Sequence, residues 1–154
     1  MLAAELHSRG ARLDIEDLSQ GAVVRVDPAQ MSQLLLNLVQ NALAASEEAG
    51  RRPEIALRAA RAGGRVVLEV EDHGVGIPAQ EQGKIFELFY STRKGGTGLG
   101  LAVVERIARV HQGELSVEST PGEGTTFRLS LPALRGESHP AAQPASLEPS
   151  ALTD

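Results

Sequence analysis

The stretch EIALRAARAGGRVVLEVED, residues 54–72, decides the fold class of this chain. Apolar and polar side chains alternate over residues 54–61 and again over 65–72, which is typical of two half-buried strands. The turn Ala62-Gly-Gly64 stands between them, so the two strands are predicted to form an antiparallel hairpin. Such a hairpin argues against the regular strand–helix–strand alternation of a doubly wound parallel sheet.

The segments on either side extend the hairpin into a layered fold. Asp27-Pro28 predicts a helix start, because aspartate caps free amides and proline fits the first turn, and Gly50 predicts the end of that helix. The other predicted elements are strands over 12–16 (an edge strand) and 23–26, helices over 29–49 and 99–111, a short helical piece over 84–89, and strands over 114–119 and 125–131 around a turn. This order predicts an α+β fold in which helices cover one face of a mixed, mostly antiparallel sheet.

Composition places the chain among ordinary globular domains and argues against several functions. Of its 154 residues, 42% are hydrophobic and 3% are aromatic, so we expect an aliphatic core. The net charge of -5 argues against nucleic-acid binding. No apolar run has membrane-spanning length, so we expect no membrane contact. The lack of cysteine fits a cytoplasmic location. Beyond the domain over 1–132, a shift to Ala, Pro, Ser and Glu predicts a disordered tail over 133–154.

Three amide side chains recur every four residues along the first predicted long helix. Gln33, Asn37 and Asn41 therefore share one stripe of an otherwise apolar helix. A buried amide is costly unless it is hydrogen-bonded. Two explanations are open: the amides bond to backbone or solvent at a helix edge, or their oxygens hold a hydrated cation. Mg²⁺ prefers such hard oxygen ligands and often bridges to phosphate.

A carboxylate and two glycines end the central hairpin. The alternation places Asp72 on the inner face of its strand, and Gly74 and Gly76 follow directly. A carboxylate there could accept a hydrogen bond from an exocyclic amine, and the glycines would let a flat ring lie against the backbone. An aspartate that starts a turn is also common, so this position alone does not indicate a ligand.

A glycine-rich loop runs straight into the second long helix in KGGTGLGLAVV, residues 94–104. Its glycines allow a close approach to a ligand, and the amides at the helix start would face anionic oxygens. Lys94 precedes the glycines rather than following them, which argues against a Walker loop. A dinucleotide fingerprint would need a strand directly before the loop. A surface loop without a ligand is the alternative.

Together these segments form one ordered pattern. Asn37 and Asn41, then DHGVGI (72–77), FELF (86–89), GTGLGL (96–101) and GEGTTF (122–127) resemble the catalytic and ATP-binding domain of sensor histidine kinases over about residues 10–132. The short segment FYSTRKGGTGLGLAVV resembles the nitrogen-regulation type of these kinases. The resemblance implies a two-layer α/β sandwich of the Bergerat type, with ATP and Mg²⁺ as ligands.

The resemblance also implies a role for each matching position. Asn37 and Asn41 would hold Mg²⁺ and phosphate oxygens, and Asp72 would receive the adenine amino group. The other implied ATP-binding positions are Gly74, Gly76, Ile77, Phe89, Gly96, Thr97, Gly98, Leu99, Gly100, Leu101 and Thr125.

A mobile lid over the nucleotide is implied between the second hairpin strand and the second long helix. Phe86 and Phe89 would anchor the lid, and either Arg93 or Lys94 would meet the γ-phosphate. Asn37 and these two cations are therefore the implied catalytic residues. The implied reaction is phosphoryl transfer by positioning, in which a histidine on another domain attacks ATP.

The sequence around each histidine indicates whether the chain carries its own phospho-acceptor. His7, His73, His111 and His139 all lack the context of the family's phospho-acceptor motif. We therefore expect a catalytic domain that needs a separate, histidine-bearing dimerisation domain, with a response regulator acting downstream.

Three classes of protein compete with the kinase interpretation. ATPases of the gyrase, chaperone and mismatch-repair types carry a glutamate where Asn37 stands, as a base for water, and an amide cannot take a proton there. The second class is an anti-sigma-like serine kinase. The third is a stand-alone nucleotide-binding module without turnover.

Overall fold

The computed structural model describes residues 2–91, 96–138 and 145–147, and for 137–138 and 145–147 it describes the backbone alone. The helices are α1 Leu2–Ser8, α2 Pro28–Glu48, α3 Ala79–Gln82 and α4 Gly100–Val110. The strands are β1 Arg12–Leu18, β2 Ala22–Val24, β3 Glu54–Ala62, β4 Arg65–Asp72, β5 Glu114–Thr120, β6 Gly124–Ser138 and β7 Ala145–Leu147.

The strands form one sheet in the order β2-β6-β4-β3-β1-β7, with β5 also paired to β6. The predicted hairpin is present, because β3 and β4 pair antiparallel with Ala62 opposite Arg65. β1 runs parallel to β3, and the other described pairs are antiparallel. The predicted α+β fold with a mixed, mostly antiparallel sheet is confirmed.

The long helix α2 starts and ends close to the predicted residues. The side chain of Asp27 accepts a hydrogen bond from the amide of Gln30 at 3.0 Å, and Pro28 is the first helical residue. Gly50, with φ +66°, follows the helix and leaves it in the left-handed region that favours glycine. No helix in the described ranges, α2 included, is long and apolar enough to cross a membrane.

The core lies between the sheet and the two long helices. Leu34 and Leu43 of α2 and Val104 of α4 are fully buried, together with Phe127 and Leu129 of β6. Burial of each such side chain contributes about 1.5–3 kcal/mol. The core is mainly aliphatic, as composition predicted, with Phe127 as its most buried aromatic residue.

The polar side chains of the central strands form ion pairs across neighbouring strands. Arg58 of β3 contacts Glu71 of β4 at 2.6 Å, and Arg128 of β6 contacts Glu118 of β5 at 2.7 Å. The hydrogen bond from Arg58 to Glu71 raises the pKa of that guanidinium, against the opposing effect of burial. Both pairs are diagonal, because Arg58 lies directly opposite Glu69 and Arg128 directly opposite Ser116, and diagonal neighbours remain within reach of long side chains.

Two segments near the helices differ from the sequence prediction. The helical piece predicted over 84–89 is wrong, because the helix is α3 and the residues after Gly83 form successive turns. The amide of Glu87 donates to the carbonyl of Lys84 at 2.9 Å, a three-residue step that does not continue an α-helix. The N-terminal helix α1 was not predicted at all.

The prediction of a disordered tail is wrong for residues 133–138 and 145–147. Residues 133–138 continue β6, where Ala133 lies opposite Val24 of β2, and β7 pairs with β1. Composition does not reveal such pairing with strands from far earlier in the chain. Residues 139–144 and 148–154 of the predicted tail lie outside the described part of the chain.

Candidate functional site

A cavity of about 270 Å³ lies between α2, the loop after β4 and the segment before α4. Most of the predicted site residues line this cavity. They are Asn37, Asn41, Asp72, Gly76, Ile77, Gly96, Thr97, Gly98, Gly100, Leu101 and Thr125. The fold therefore brings together residues that are spread over nearly ninety positions of the sequence. This span is roughly three-fifths of the length of an ordinary domain.

Not every predicted residue belongs to the lining. Gly74, Phe89 and Leu99 lie outside it, and Arg93 and Lys94 fall outside the described residues. The side chain of Gln33, which was grouped with the two asparagines, is exposed and does not line the cavity.

The cavity also has lining residues that the sequence interpretation missed. They are Gln40, Ala45, Glu48, Val75, Ile85, Tyr90 and Ser91. A helical repeat could have found two of them, because Ala45 and Glu48 follow Asn41 by four and seven residues on one face of α2. The face of α2 that lines the cavity thus continues from Asn41 toward the C-terminus of the helix and does not extend back to Gln33.

One end of the cavity carries amide oxygens. The side-chain nitrogen of Asn37 donates to the carbonyl oxygen of Gly100 at 3.3 Å, so its oxygen is left to accept. Asn41 follows one turn later. Among the described residues, no cluster of three or more His, Asp or Glu side chains could hold a metal. The donor set present suits Mg²⁺, which is commonly held by one or two protein oxygens together with substrate phosphates.

The start of α4 faces the same end of the cavity. Gly100 and Leu101 of its first turn line the cavity, and no described side chain caps the helix. The first amides of an α-helix have no partner within the helix and carry a partial positive charge. This end of the cavity can therefore bind anionic oxygens.

The opposite end is built around a buried carboxylate. Asp72 is 3% exposed at the end of β4, and one of its oxygens accepts a hydrogen bond from the amide of Gly74 at 2.8 Å. Thr125 lies directly opposite Asp72 on β6 and is 5% exposed. Both residues line the cavity, so a ligand there would meet a carboxylate and a hydroxyl side by side.

The two glycines after Asp72 serve close packing. A Cβ at Gly74 would lie 2.6 Å from the Cβ of Ala45, so this glycine lets the loop press against α2. Gly76, with φ +72°, would place a Cβ 2.2 Å from the carbonyl oxygen of Thr120. Gly76 lines the cavity, whereas Gly74 holds the cavity wall in place.

The segment before α4 is tied down at both ends. The ring of Phe86 packs edge-on against Phe127, with centroids 6.2 Å apart, which anchors the start of the segment in the core. The amide of Phe89 donates to the carbonyl of Gly98 at 2.9 Å, and the Phe89 side chain is 75% exposed. Phe86 is therefore a partly buried anchor that packs against the core, and Phe89 contributes its backbone.

Tyr90 lines the cavity directly after Phe89 and is the only tyrosine of a chain without tryptophan. Loss of solvation raises the pKa of its phenol, with smaller contributions from Glu81 and Glu87. The hydroxyl is therefore protonated at neutral pH. Because the chain has no tryptophan, the fluorescence of Tyr90 can be measured without an introduced label.

Known proteins of one family are similar to this chain in sequence and in fold. Residues 26–135 match the family described as histidine kinase-, DNA gyrase B-, and HSP90-like ATPase, which is more than half of the chain. The chain belongs to this family. The resemblance drawn from the sequence motifs is thereby confirmed.

Relatives of this ATPase-family domain include sensor histidine kinases. The chain is 39% identical over 126 residues to the circadian input-output histidine kinase CikA of Synechococcus elongatus. This match covers 78% of the chain but 16% of the length of CikA. The full-length ShkA structure in complex with AMPPNP is similar at a TM-score of 0.76 and 28% identity, over 91% of this chain and 28% of that one. The structure of the mycobacterial sensor histidine kinase MprB is similar at a TM-score of 0.72 and 28% sequence identity. The similarity covers 86% of this chain and 89% of that one.

Proposed function

We propose that this domain binds Mg-ATP and delivers its γ-phosphate to a histidine on a separate dimerisation domain. The observation that carries the proposal is the polarity of the cavity. Asn37 contacts Gly100 at the start of α4, whereas the loop after Asp72 contacts α2 eight residues further along, where the amide of Val75 donates to the carbonyl of Ala45. Amide oxygens and open helix amides therefore lie toward one end, and a buried carboxylate beside a hydroxyl lies toward the other. Phosphates suit the first end, and an amino-bearing base suits the second.

Each wall of the cavity then has a part in positioning ATP. Asp72 and Thr125 hold the base, and Gly76 and Ile77 give its ring a flat wall. Asn37 and Asn41 hold Mg²⁺ together with phosphate oxygens. Bound Mg²⁺ would neutralise charge on the phosphates, and the amides at the start of α4 hold the oxygens they face. Either Arg93 or Lys94 of the lid is proposed to meet the γ-phosphate.

The identity of residue 37 favours transfer to a partner over hydrolysis. An amide cannot take a proton from water, so Asn37 cannot act as the general base of an ATPase. The carboxylates that line the cavity, Asp72 and Glu48, belong to its other end. Glu48 follows Asn37 by eleven residues, which is about 16 Å along a helix. A histidine from another chain is itself the nucleophile that attacks the γ-phosphate. The reaction therefore needs no base in this cavity to activate a water molecule.

The partners of the reaction follow from its chemistry. A dimerisation domain presents the histidine in line with the γ-phosphate, and a response regulator then receives the phosphoryl group. Since ATP is the donor, we propose that the domain acts in the cytoplasm. The dimerisation domain and the response regulator are the two protein partners of a two-component sensor kinase.

A transfer assay tests the proposal. The chain is mixed with γ-labelled ATP, Mg²⁺ and a purified dimerisation domain from a sensor histidine kinase, with a His→Gln acceptor variant as the control. We expect acid-labile, base-stable label on the dimerisation domain and none on the control. Acid-stable label on serine would indicate an anti-sigma-like serine kinase instead. ATP binding without any label would indicate a binding module and would overturn the proposed transfer.

A further inference from the structure

We infer that Ser119 is a positioning residue that makes the hydroxyl of Thr125 a hydrogen-bond acceptor and thereby selects a 6-amino purine over a 6-oxo purine. The inference rests on the proposed function, because it takes the base end of the cavity as the place where the purine binds. Ser119 does not line the cavity itself and acts through its neighbour.

Three residues lie in one row across three neighbouring strands. Thr125 of β6 is in register with Asp72 of β4 on one side and with Ser119 of β5 on the other. Residues in register on antiparallel strands project from the same face of the sheet. The hydroxyl oxygens of Ser119 and Thr125 are 2.8 Å apart, which is hydrogen-bond distance.

The direction of that hydrogen bond follows from counting protons. The Ser119 hydroxyl donates to the carbonyl oxygen of Gly124 at 2.9 Å, and a carbonyl can only accept. The amide of Ile77 donates to the same Ser119 oxygen at 2.8 Å. A serine has one hydroxyl proton, and the assignment that satisfies both contacts gives it to the Gly124 carbonyl. In this assignment Thr125 donates to Ser119.

The consequence lies at the cavity wall. With its single proton directed to Ser119, the Thr125 oxygen presents only lone pairs to a ligand. Asp72 beside it also presents a carboxylate that accepts. Two neighbouring acceptors suit the two N–H groups of an exocyclic amine. A 6-oxo group would place an oxygen against them and leave buried polar atoms without a partner, which is costly.

Ser119 also connects the loop that forms the base wall. Its oxygen holds the amide of Ile77, and the side chain of Gln82 donates to the carbonyls of Ile77 and Ser119 at 3.0 and 3.1 Å. A change at Ser119 could thus affect binding through the loop alone. The test must separate loss of affinity for any nucleotide from loss of preference between bases.

The experiment measures the dissociation constants of ATP and ITP, which differ in the 6-substituent and the N1 proton, for the whole chain and three variants. We expect the unaltered chain to prefer ATP by at least about tenfold. In Ser119→Ala the Thr125 proton is free to turn toward the ligand, so this preference falls by about fivefold or more. Ser119→Thr keeps the hydroxyl and restores the preference. Ser116→Ala, an exposed serine on the same strand, leaves it unchanged.

Equal weakening of ATP and ITP binding in Ser119→Ala would overturn the inference, because a merely structural role moves both. Should Ser119→Ala fail to fold by circular dichroism, Ser119→Cys replaces the hydroxyl by a weak donor of similar size. It must lower the preference, and an unchanged ratio would also overturn the inference. Failure of the unaltered chain to bind ATP would instead contradict the proposed function.

Discussion

The amide of Phe89 donates a hydrogen bond of 2.9 Å to the carbonyl oxygen of Gly98, and this bond joins the two ends of the proposed lid. Phe89 has φ +63° and Gly98 has φ +69°, so both residues lie in the left-handed region at the point of contact. Such a conformation is unusual for phenylalanine and is held by its surroundings. The residues between the two ends include Arg93 and Lys94, so the bond closes the base of the proposed lid.

Gly98→Ala is predicted to disrupt this closure. A Cβ at residue 98 would lie 2.3 Å from the carbonyl carbon of Phe89, and the backbone there disfavours any L side chain. In Gly98→Ala we expect the affinity for ATP to fall about tenfold or more. We also expect the change in Tyr90 fluorescence on addition of ATP to differ from that of the unaltered chain. Gly83→Ala is the matched control, because nothing lies within 4 Å of a Cβ there. Equal ATP affinity in both variants would contradict a role for the Phe89–Gly98 contact.

Asp72→Asn is predicted to weaken adenine nucleotide binding. The amide of Gly74 must still be accepted by the single oxygen of the new side chain, so its NH₂ group would face the ligand amine. We expect ADP affinity to fall about tenfold, measured by isothermal titration calorimetry. Asp14→Asn, on a half-exposed carboxylate of β1, removes the same charge and should leave affinity unchanged. An unaltered affinity in Asp72→Asn would sink the assignment of this end to the base.

Asn41→Ala is predicted to remove the dependence of ATP binding on Mg²⁺. In the unaltered chain, chelation of Mg²⁺ by EDTA should weaken ATP binding, whereas the variant should bind about equally with and without the metal. Gln33→Ala is the matched control, since it removes an amide from the same helix at an exposed position outside the cavity. Alanine favours helix at both positions, so α2 should be retained. A normal Mg²⁺ response in Asn41→Ala would exclude the cation role.

Much of the fold could be predicted because its main elements have strong local signals. The alternation on both sides of Gly63 and Gly64 predicted the hairpin, and the Asp27-Pro28 start predicted α2 to within a residue. Long-range pairing has no such signal. The continuation of β6 to Ser138 depends on a partner strand from the N-terminal part of the chain. Composition alone therefore assigned residues 133–138 to a tail.

The candidate site likewise contains residues that the sequence indicates and residues that only the folded structure reveals. Asn37 and Asn41 stood out because their amides interrupt an apolar helix at fixed spacing, whereas Asp72 was assigned to the base only through the family resemblance. Ser119 was not predicted, because a serine on an alternating strand is ordinary until the fold places it beside Thr125. Phe89 was expected to anchor the lid, and it is the backbone of Phe89 that makes a contact, while its side chain is exposed. The left-handed conformation behind this cannot be inferred from residue type.

Arg51 holds the base wall from outside the cavity, and Arg51→Ala gives the final prediction. One guanidinium nitrogen donates to the carbonyl of His73 at 2.9 Å, and another donates to the carbonyl of Gly122 at 2.7 Å. The loop after Asp72 and the turn between β5 and β6 are thereby joined. Without Arg51, we expect ATP affinity to fall about threefold to tenfold and the free energy of unfolding to fall by about 1 kcal/mol.

The neighbouring arginine separates these two effects. Arg52 donates to the carbonyl of Gly10 at 2.7 Å, on the side of the N-terminal segment and away from the cavity. Arg52→Ala should therefore cost a similar free energy of unfolding and leave ATP affinity unchanged, measured by thermal melting and calorimetry. If Arg51→Ala and Arg52→Ala lower ATP affinity equally, the loss comes from general destabilisation. If only Arg51→Ala does, the base wall depends on a residue that never touches the nucleotide.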